Sequence, residues 1–366
     1  MKRREFLKKS AVAGVAGTAA VSLAKPAISQ GRKEMIIVST WGRDFPGLGL
    51  SAQRLAARIP ELTEGRIEVQ YFAAGERVGA FDSFDEVASG NSQAYIATDY
   101  YWKGKHPGWA FFAAVPFGLT YVEMDAWMKY GGGQELHDEL AADFNIKGFP
   151  CGNTGCQMGG WFNKEINSAD DFKGLKMRIP GLGGDVLSKL GASTVSLPGS
   201  QIYENLVSGA IQATEWVGPY NDYFMKFYEA AKYYYYPGMH EPASQSTLGI
   251  NKKWWDGLSK TDQAIIQAAC NEENAYQMAD TNANNGKYLR KLIDEHGVKL
   301  RDFNDDVYDA FGEAAKGVFA EVQEHSPLAK KIYESFAAAR ADSGRWMMLA
   351  DAGFINQRNR VLGIKV

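Results

Sequence analysis

The sequence predicts an α/β protein with two lobes, a long helix that spans both lobes and a helical C-terminal extension. Three observations support this fold class. Strand and helix patterns alternate from Met35 onwards and resume after Gly152, which is typical of two α/β sheets of limited size. After Ser259 the chain has neither proline nor glycine until Gly286, which indicates an unusually long helix. About 337 residues follow a leader segment, and this length is enough for two lobes.

The leader, residues 1–29, has the pattern of an export peptide. A basic cluster from Lys2 to Arg4 precedes an uncharged run from Ser10 to Ala24, and the small residues from Ala27 to Ser29 form a cleavage site. The paired Arg3 and Arg4 indicate the twin-arginine type. A membrane anchor is the alternative, but the run is shorter than the roughly 20 apolar residues that span a bilayer. We therefore assign residues 1–29 as a twin-arginine signal peptide and expect the protein in the periplasm.

The first lobe is predicted to begin with a strand from Met35 to Ser39 and a helix from about Leu48 to Ile59. β-forming runs from Arg66 to Phe72 and from Gln93 to Ala97 predict the next two strands. A helix-like segment separates these two strands, as expected for an α/β sheet.

A second series of strands is predicted after Gly152. Its members are Met158 to Phe162, Leu175 to Ile179, Ser193 to Val195, Ile211 to Glu215, Tyr233 to Tyr236 and Ala243 to Asn251. A helix is expected from Ser200 to Ser208, and the tail from Val307 to Val366 reads as mainly helical.

Composition and charge argue against several function classes. The net charge of the whole chain is −3, and the leader carries six basic residues and one acid, so the mature part has a net charge of about −8. This balance argues against a nucleic-acid partner. The five histidines show no zinc-binding spacing. Aromatic residues make up 13% of the chain, which suits clefts for small ligands as well as a large core.

The three cysteines are expected to be buried or unpaired thiols. Cys151 and Cys156 lie in a segment that looks extended, which would place their Cα atoms roughly 16 Å apart. They could pair only if the chain folded back sharply at Gly152 or Gly155. Cys270 is far from both in sequence, and no CxxC pattern occurs.

Familiar enzyme motifs do not fit the chain. The run from Gly47 to Ala52 has the outline of a dinucleotide fingerprint, but seven residues separate it from the preceding strand. A glycine at a helix start is the better interpretation. The sequence contains neither GxSxG nor GxxxxGK, and no acid-base or nucleophile-base pair emerges. We therefore expect a protein that is not an enzyme.

Arg178 is the first candidate binding residue. It ends a brief predicted strand that Pro180 stops, so its guanidinium is displayed at the strand's carboxyl end, where open α/β sheets bind ligands. The guanidinium fork can hold a carboxylate through two parallel hydrogen bonds. An arginine in a surface ion pair is the alternative.

Glu215 and Gln157 are candidate ligands for a cation. Glu215 ends a predicted strand, and next to a bound anion its carboxylate would be repelled unless a cation lay between them. Gln157 offers a neutral oxygen from a neighbouring strand. Oxygen ligands of this kind suit sodium or calcium. A salt-bridged core acid is the alternative for Glu215.

Several stretches closely resemble the substrate-binding proteins of tripartite ATP-independent periplasmic (TRAP) transporters, the DctP type. They are GNTGCQMGGWFNKEINSADDFKGLKMRIPG, ATEWVGPYND and YYYYPGMHEPASQSTLGINK, with WGRDFPGLGLSAQRLA and AVPFGLT near the start. The likeness covers essentially the whole mature chain. It is greatest to the branch that binds 2-oxo acids and related monocarboxylates.

The resemblance implies two lobes that close like a clamp over an organic acid. It assigns the carboxylate to Arg178 and the cation to Gln157, Glu215 and the backbone carbonyl of Trp216. It also implies a set of residues that wall and polarise the pocket. These are Phe45, Tyr100, Tyr101, Trp216, Tyr220 and Asn221.

Charge balance favours sodium over calcium. Arg178 contributes +1, whereas Glu215 and a monocarboxylate contribute −1 each, so a monovalent cation brings the buried set to neutrality. A keto or hydroxyl oxygen beside the carboxylate could complete the shell of the cation, which favours 2-oxo or 2-hydroxy acids. The ligand-binding subunit of a sensory system is an alternative function, and a periplasmic enzyme is a less favoured one.

The chain is accordingly divided into four parts. Residues 30–152 form the first lobe, completed by about 244–280, and residues 153–243 form the second lobe, completed by about 281–325. Residues 326–366 form a helical extension for which we expect a dimerisation role. Two apolar groups predict this role. They are Leu328, Ile332, Tyr333 and Phe336, and then Trp346, Met347, Met348 and Leu349.

Overall fold

The computed structural model describes residues 31–365, so the predicted signal peptide lies outside the described residues. The strands are β1 (Lys33–Ser39), β2 (Ile67–Phe72), β3 (Ala94–Ala97), β4 (Ile146–Asn153), β5 (Gly160–Phe162), β6 (Lys176–Arg178), β7 (Ser193–Val195), β8 (Ala213–Thr214), β9 (Tyr233–Tyr236), β10 (Gln245–Asn251) and β11 (Lys299–Asp302). The α-helices are α1 (Leu48–Leu62), α2 (Ser83–Ala88), α3 (Tyr121–Tyr130), α4 (Gly133–Ala142), α5 (Gly181–Lys189), α6 (Gly199–Val207), α7 (Pro219–Met225), α8 (Lys252–Asp256), α9 (Lys260–His296), α10 (Asp305–His325), α11 (Pro327–Met347) and α12 (Gly353–Leu362).

The first lobe is built on a five-stranded sheet with the order β2-β1-β3-β10-β4. The central strand β1 pairs in parallel with β2 and β3, and its residues Met35, Ile37 and Val38 are all buried. Burial on both faces is typical of a parallel strand covered by helices. Strand β10 comes late in the sequence but lies between β3 and β4 and runs antiparallel to both, so it completes this sheet.

The second lobe contains a six-stranded sheet with the order β11-β9-β5-β8-β6-β7. Strand β6 is parallel to both β7 and β8, and the register pairs Arg178 with Thr214. The carboxyl ends of β6 and β8 therefore lie side by side, which brings Arg178 next to Glu215.

The chain passes between the two sheets after β4, after β9 and along helix α9. Helix α9 has 37 residues, so it is about 55 Å long. It packs against β4 and α1 in the first lobe and against α7 in the second, as the sequence predicted for a helix that spans both lobes. Ser259 caps its start and Gly297, with φ of 64°, ends it.

The C-terminal extension has two parts with different surroundings. Helix α11 packs on the first lobe, where Ile332 and Phe336 are buried and the ring of Phe336 lies 5.1 Å from that of Trp127. The first predicted apolar group therefore covers the protein's own core instead of offering a free face. Beyond Arg345 most of the large apolar side chains are exposed, whereas Met347 is half-buried. The exposed ones are Trp346, Met348, Leu349, Phe354, Ile355, Val361, Leu362 and Ile364.

All three cysteines are free thiols, as predicted: Cys151 and Cys270 are buried and Cys156 is exposed. Within residues 31–365, no helix combines the length and the apolar character that crossing a membrane requires.

Candidate functional site

A narrow cavity with a volume of about 10 Å³ lies between the two lobes. Residues of the first lobe, of the second lobe and of the segments that connect them form its wall. They are Trp41, Leu48, Thr98, Tyr100, Tyr101, Thr154, Gln157, Trp216, Val217 and Ser244. Four residues of the predicted site, Tyr100, Tyr101, Gln157 and Trp216, thus line one cavity.

Arg178 is buried beside this cavity at the end of β6. Its Nε donates a hydrogen bond to the carbonyl oxygen of Leu197 at 3.1 Å, and its Nη1 donates to the backbone oxygen of Glu215 at 3.2 Å and to the Glu215 carboxylate. Its Nη2 has no hydrogen-bond partner among residues 31–365, although it is buried. One nitrogen of the guanidinium is therefore available to a ligand.

Glu215 directly follows β8, and its carboxylate contacts the side chains of Arg178 and His240. One oxygen pairs with Arg178, and the other lies 3.2 Å from Nε2 of His240. Since Glu215, Arg178 and His240 are all buried, each depends on the others to balance its charge or to satisfy its hydrogen bonds.

His240 and Glu241 belong to the site, and the sequence interpretation did not assign them. The potential ligand atoms of Glu215, His240 and Glu241 lie within 4.8 Å of one another, so these side chains could hold a metal ion. Burial, and then the nearby Glu215 carboxylate, raises the pKa of Glu241 to about 7. Oε2 of Glu241 has no hydrogen-bond partner in the described part of the chain.

Gln157 presents a buried oxygen of the kind that a hard cation prefers. Its Nε2 donates to Oγ1 of Thr154 at 2.9 Å, which leaves Oε1 as the free end, and Oε1 has no partner within residues 31–365. Its backbone N–H donates to the carbonyl oxygen of Glu241 at 3.0 Å, so the two residues are held together. The amide oxygen of Gln157, like the carboxylates of Glu215 and Glu241, is a type of ligand that suits sodium or calcium.

Tyr100 and Tyr101 follow β3 in a short 3₁₀ turn, and their rings pack edge to face with centroids 4.9 Å apart. Burial raises the pKa of Tyr101 to about 12, although Arg178 acts in the opposite direction. Burial also raises the pKa of Tyr100. Both phenols therefore stay protonated at neutral pH and can donate hydrogen bonds to an anion.

Trp216 forms the wall of the cavity next to Arg178. The Cζ atom of Arg178 lies 5.2 Å from the centre of the Trp216 ring, a cation–π arrangement. Phe45 meets the same ring edge to face at 6.2 Å, but Phe45 lines a second, outer cleft and not the inner cavity.

Tyr220 and Asn221 lie outside the lining of the inner cavity, in contrast to the role expected for them. Both are on helix α7, where Tyr220 packs against Tyr288 of α9 with ring centres 5.1 Å apart. Nδ2 of Asn221 donates to the carbonyl oxygen of Pro46, which belongs to the first lobe. Helix α7 therefore turns these side chains towards the long helix and towards a loop of the other lobe.

Comparisons with known proteins identify the family of this chain. The family model for bacterial extracellular solute-binding proteins of family 7 matches residues 39–326. The monocarboxylate 2-oxoacid-binding periplasmic protein of Nostoc sp. is 38% identical over 361 residues, which is 97% of this chain and 98% of the relative.

Two solved structures are similar over nearly the whole described chain. A TRAP periplasmic solute-binding protein from Pseudoalteromonas atlantica, with bound sodium and pyruvate, is 38% identical with a TM-score of 0.86 and covers 89% of this chain and 99% of its own. A second structure, from Bordetella bronchiseptica, is a mixed-occupancy dimer with calcium and picolinate in one active site. It is 35% identical with a TM-score of 0.88, and the match covers 90% of this chain and 98% of the relative. The predictions of the two-lobed fold and of the family are thus confirmed: the chain belongs to the family 7 extracellular solute-binding proteins, the solute-binding proteins of TRAP transporters.

Proposed function

We propose that this protein captures a small 2-oxo or 2-hydroxy monocarboxylate together with a cation in the periplasm and delivers it to the membrane subunits of a TRAP transporter. The observation that carries the proposal is the buried Arg178–Glu215 pair beside a cavity between two lobes. The ligands of the Nostoc and Pseudoalteromonas relatives, 2-oxo acids and pyruvate, support the ligand class.

The carboxylate of the ligand is assigned to Arg178, whose Nη2 is free to donate. Gln157 Oε1 and the Glu215 carboxylate are acceptors, so they cannot bind an anion directly. A cation between them and the ligand resolves this conflict, with the Trp216 carbonyl as a further ligand. This arrangement gives a partner to Nη2 of Arg178 and to Oε1 of Gln157, which are both buried without one among the described residues.

The head group of the ligand is inferred from the need to chelate that cation. Pyruvate and picolinate, the ligands of two relatives, both carry an acceptor atom one position from the carboxylate. Such a pair of atoms can bind one cation in a five-membered chelate ring. For this chain we therefore expect 2-oxo and 2-hydroxy acids to bind more tightly than acids without that second acceptor.

Sodium is the cation that charge neutrality favours. Arg178, Glu215 and a monocarboxylate sum to −1, and His240 and Glu241 add no net charge when both are ionised or both are neutral. A monovalent cation then makes the buried set neutral, which avoids the several-kcal/mol penalty of an isolated buried charge.

Binding without conversion distinguishes this function from that of an enzyme. The experiment is calorimetric titration of the mature protein with pyruvate and lactate, after exhaustive dialysis, followed by NMR of the released ligand. We expect one site per chain and an unchanged ligand, with propanoate, which has no 2-oxygen, as the weakly bound control. Conversion of the ligand would support an enzyme, and no binding of either acid would reject the proposed ligand class.

The transport role differs from a sensory role in the membrane partner. A sensory subunit would use the same clamp, so reconstitution with TRAP membrane subunits in vesicles is the deciding measurement. We expect uptake of labelled pyruvate that requires this protein. The absence of uptake by a protein that still binds pyruvate would favour the sensory alternative.

We also propose that the protein is a homodimer joined by its C-terminal residues. Exposed apolar side chains continue from Trp346 to Ile364, and Leu349 is 74% exposed. So many exposed large apolar side chains in one segment are typical of an interaction site. The dimer of the Bordetella relative supports the proposal.

A further inference from the structure

The carbonyl oxygen of Trp216 differs from the carbonyl oxygens of the residues before and after it. The oxygen of Glu215 accepts a hydrogen bond from Nη1 of Arg178 at 3.2 Å. The oxygen of Val217 accepts one from the backbone N–H of Met158 at 3.0 Å. The oxygen of Trp216 accepts no hydrogen bond from any of residues 31–365. Of these three carbonyl oxygens, the one at Trp216 is therefore left for a ligand.

The peptide group between Trp216 and Val217 is held in place by the side chain of Asp222. Oδ1 of Asp222 accepts a hydrogen bond from the backbone N–H of Val217 at 3.1 Å. The N–H and the C=O of a planar trans peptide point in opposite directions, so this bond turns the Trp216 carbonyl away from Asp222. Trp216 and Val217 line the inner cavity, whereas Asp222 does not. Asp222 thus fixes the direction of the free carbonyl without lining the cavity itself.

Two aromatic side chains of the second sheet hold Asp222 in turn. Its Oδ2 accepts hydrogen bonds from Nε1 of Trp161 at 2.9 Å and from the hydroxyl of Tyr234 at 2.7 Å. Trp161 on β5 and Tyr234 on β9 lie opposite each other in the register, and their rings stack with centroids 4.0 Å apart. All three side chains are buried. Because these residues all belong to the second lobe, their arrangement needs no contact with the first lobe.

We propose that Asp222 is a positioning residue that orients the Trp216 carbonyl as a cation ligand before the cation binds. The inference rests on the proposed function, because it requires a cation beside the carboxylate of the solute. Without Asp222 the buried N–H of Val217 lacks its acceptor, and cation binding has to order the peptide group first. Removal of a group that orients a metal ligand typically lowers metal affinity about 10- to 100-fold. The loss should therefore appear in the affinity for the cation.

The first test compares Asp222→Ala with the matched control Tyr235→Phe. The hydroxyl of Tyr235, a buried residue on β9, accepts a hydrogen bond from the backbone N–H of Ile166 at 2.7 Å. Each substitution therefore removes the side-chain acceptor of one buried backbone N–H in the second lobe, but only Asp222 holds the Trp216 peptide. Pyruvate binding is titrated by calorimetry at increasing sodium concentrations in choline buffer. A melting curve shows that each variant is folded.

We expect Asp222→Ala to raise the sodium concentration for half-maximal pyruvate binding about 10- to 100-fold. At saturating sodium its affinity for pyruvate should return to that of the wild type, because Arg178 is untouched. Tyr235→Phe should lower the melting temperature but leave the sodium requirement unchanged. The positioning role is overturned if Asp222→Ala needs no more sodium than the wild type, or if Tyr235→Phe needs as much as Asp222→Ala. It is also overturned if pyruvate affinity stays low at saturating sodium.

Hydrogen exchange in the ligand-free wild type tests the same role even if Asp222→Ala does not fold. The amide of Val217 should exchange much more slowly than that of Val122, an exposed valine in the first turn of α3, where backbone N–H groups lack helical partners. Equally fast exchange of the two amides would overturn the positioning role. If the wild type binds no 2-oxo acid, or binds it without a cation, the proposed function fails, and the positioning role fails with it. If only the variants or the exchange rates disagree, the proposed function stands and the positioning role alone is rejected.

Discussion

Arg178 combines two tasks in one side chain, because it neutralises Glu215 and keeps Nη2 free for a ligand. We expect Arg178→Ala to weaken pyruvate binding by about 2–5 kcal/mol, as does the loss of one partner of a buried charge pair. Isothermal titration calorimetry measures this change. Arg178→Lys is the control, since it keeps the charge but loses the fork, and it should fall between alanine and wild type. Equal affinities in all three proteins would contradict the carboxylate role.

Glu215 is expected to control cation dependence. In the wild type, removal of sodium and calcium should lower the affinity for pyruvate at least tenfold. The Glu215→Gln variant should bind pyruvate weakly with or without the cation, because it lacks the carboxylate that holds the cation. Titrations in sodium, calcium and choline buffers test this expectation. Glu273→Gln is a matched control, because Glu273 is also buried and paired with an arginine, Arg54, at 2.7 Å. A crystal structure with a water in place of the cation would contradict the prediction.

The residues of the site differed in how well the sequence could locate them. Arg178, Glu215 and Gln157 were predictable because they stand at or near strand ends, where the chain direction alone indicates the binding edge of a sheet. His240 and Glu241 lie in the irregular connection between β9 and β10, and no periodicity places such residues in space. The adjacent acid and imidazole in the sequence were the available signal.

At the scale of the elements, the sequence predicted most strands and the long helix but missed β4 and β11. The case of β4 shows why. Its sequence IKGFPCGN contains Gly148, Pro150 and Gly152, which are poor strand formers. Pairing with β10 on one side and packing by α9 on the other stabilise it, and neither contact is local in sequence. Helix α3 did carry a local signal, the capping box of Thr120 and Glu123.

We predict a dimer whose formation depends on the C-terminal residues after Arg345. A deletion after Arg345 should give a monomer that still binds pyruvate, because it removes the exposed apolar side chains and retains the part of α11 that covers the first lobe. Light scattering at several concentrations measures the mass. Leu349→Glu should have the same effect, and Tyr130→Glu, at an exposed aromatic residue outside the extension, is the control. A dimer that survives the deletion would place the interface elsewhere.

At the scale of the whole molecule, the buried side chain of Asn221 joins the two lobes. Its Nδ2 donates to the carbonyl oxygen of Pro46, and this contact requires the lobes to be closed. We expect Asn221→Ala to increase the dissociation rate of the ligand about three- to tenfold, which corresponds to the loss of one hydrogen bond. Stopped-flow fluorescence measures this rate. Asn163→Ala, at an exposed asparagine of the second lobe, should leave the rate unchanged.

Helix α9 has a consequence for how the protein unfolds. Arg54 of the first lobe pairs with Glu273 in the first half of the helix, and the backbone N–H of Tyr220 in the second lobe donates to Oδ1 of Asn285 in its second half, at 3.0 Å. Because both lobes pack on one helix, neither can melt without exposing a face of it. We therefore expect a single cooperative transition in scanning calorimetry, with equal calorimetric and van't Hoff enthalpies. A ligand held between the lobes then protects the most distant strand of each sheet from thermal unfolding as strongly as it protects its own binding site.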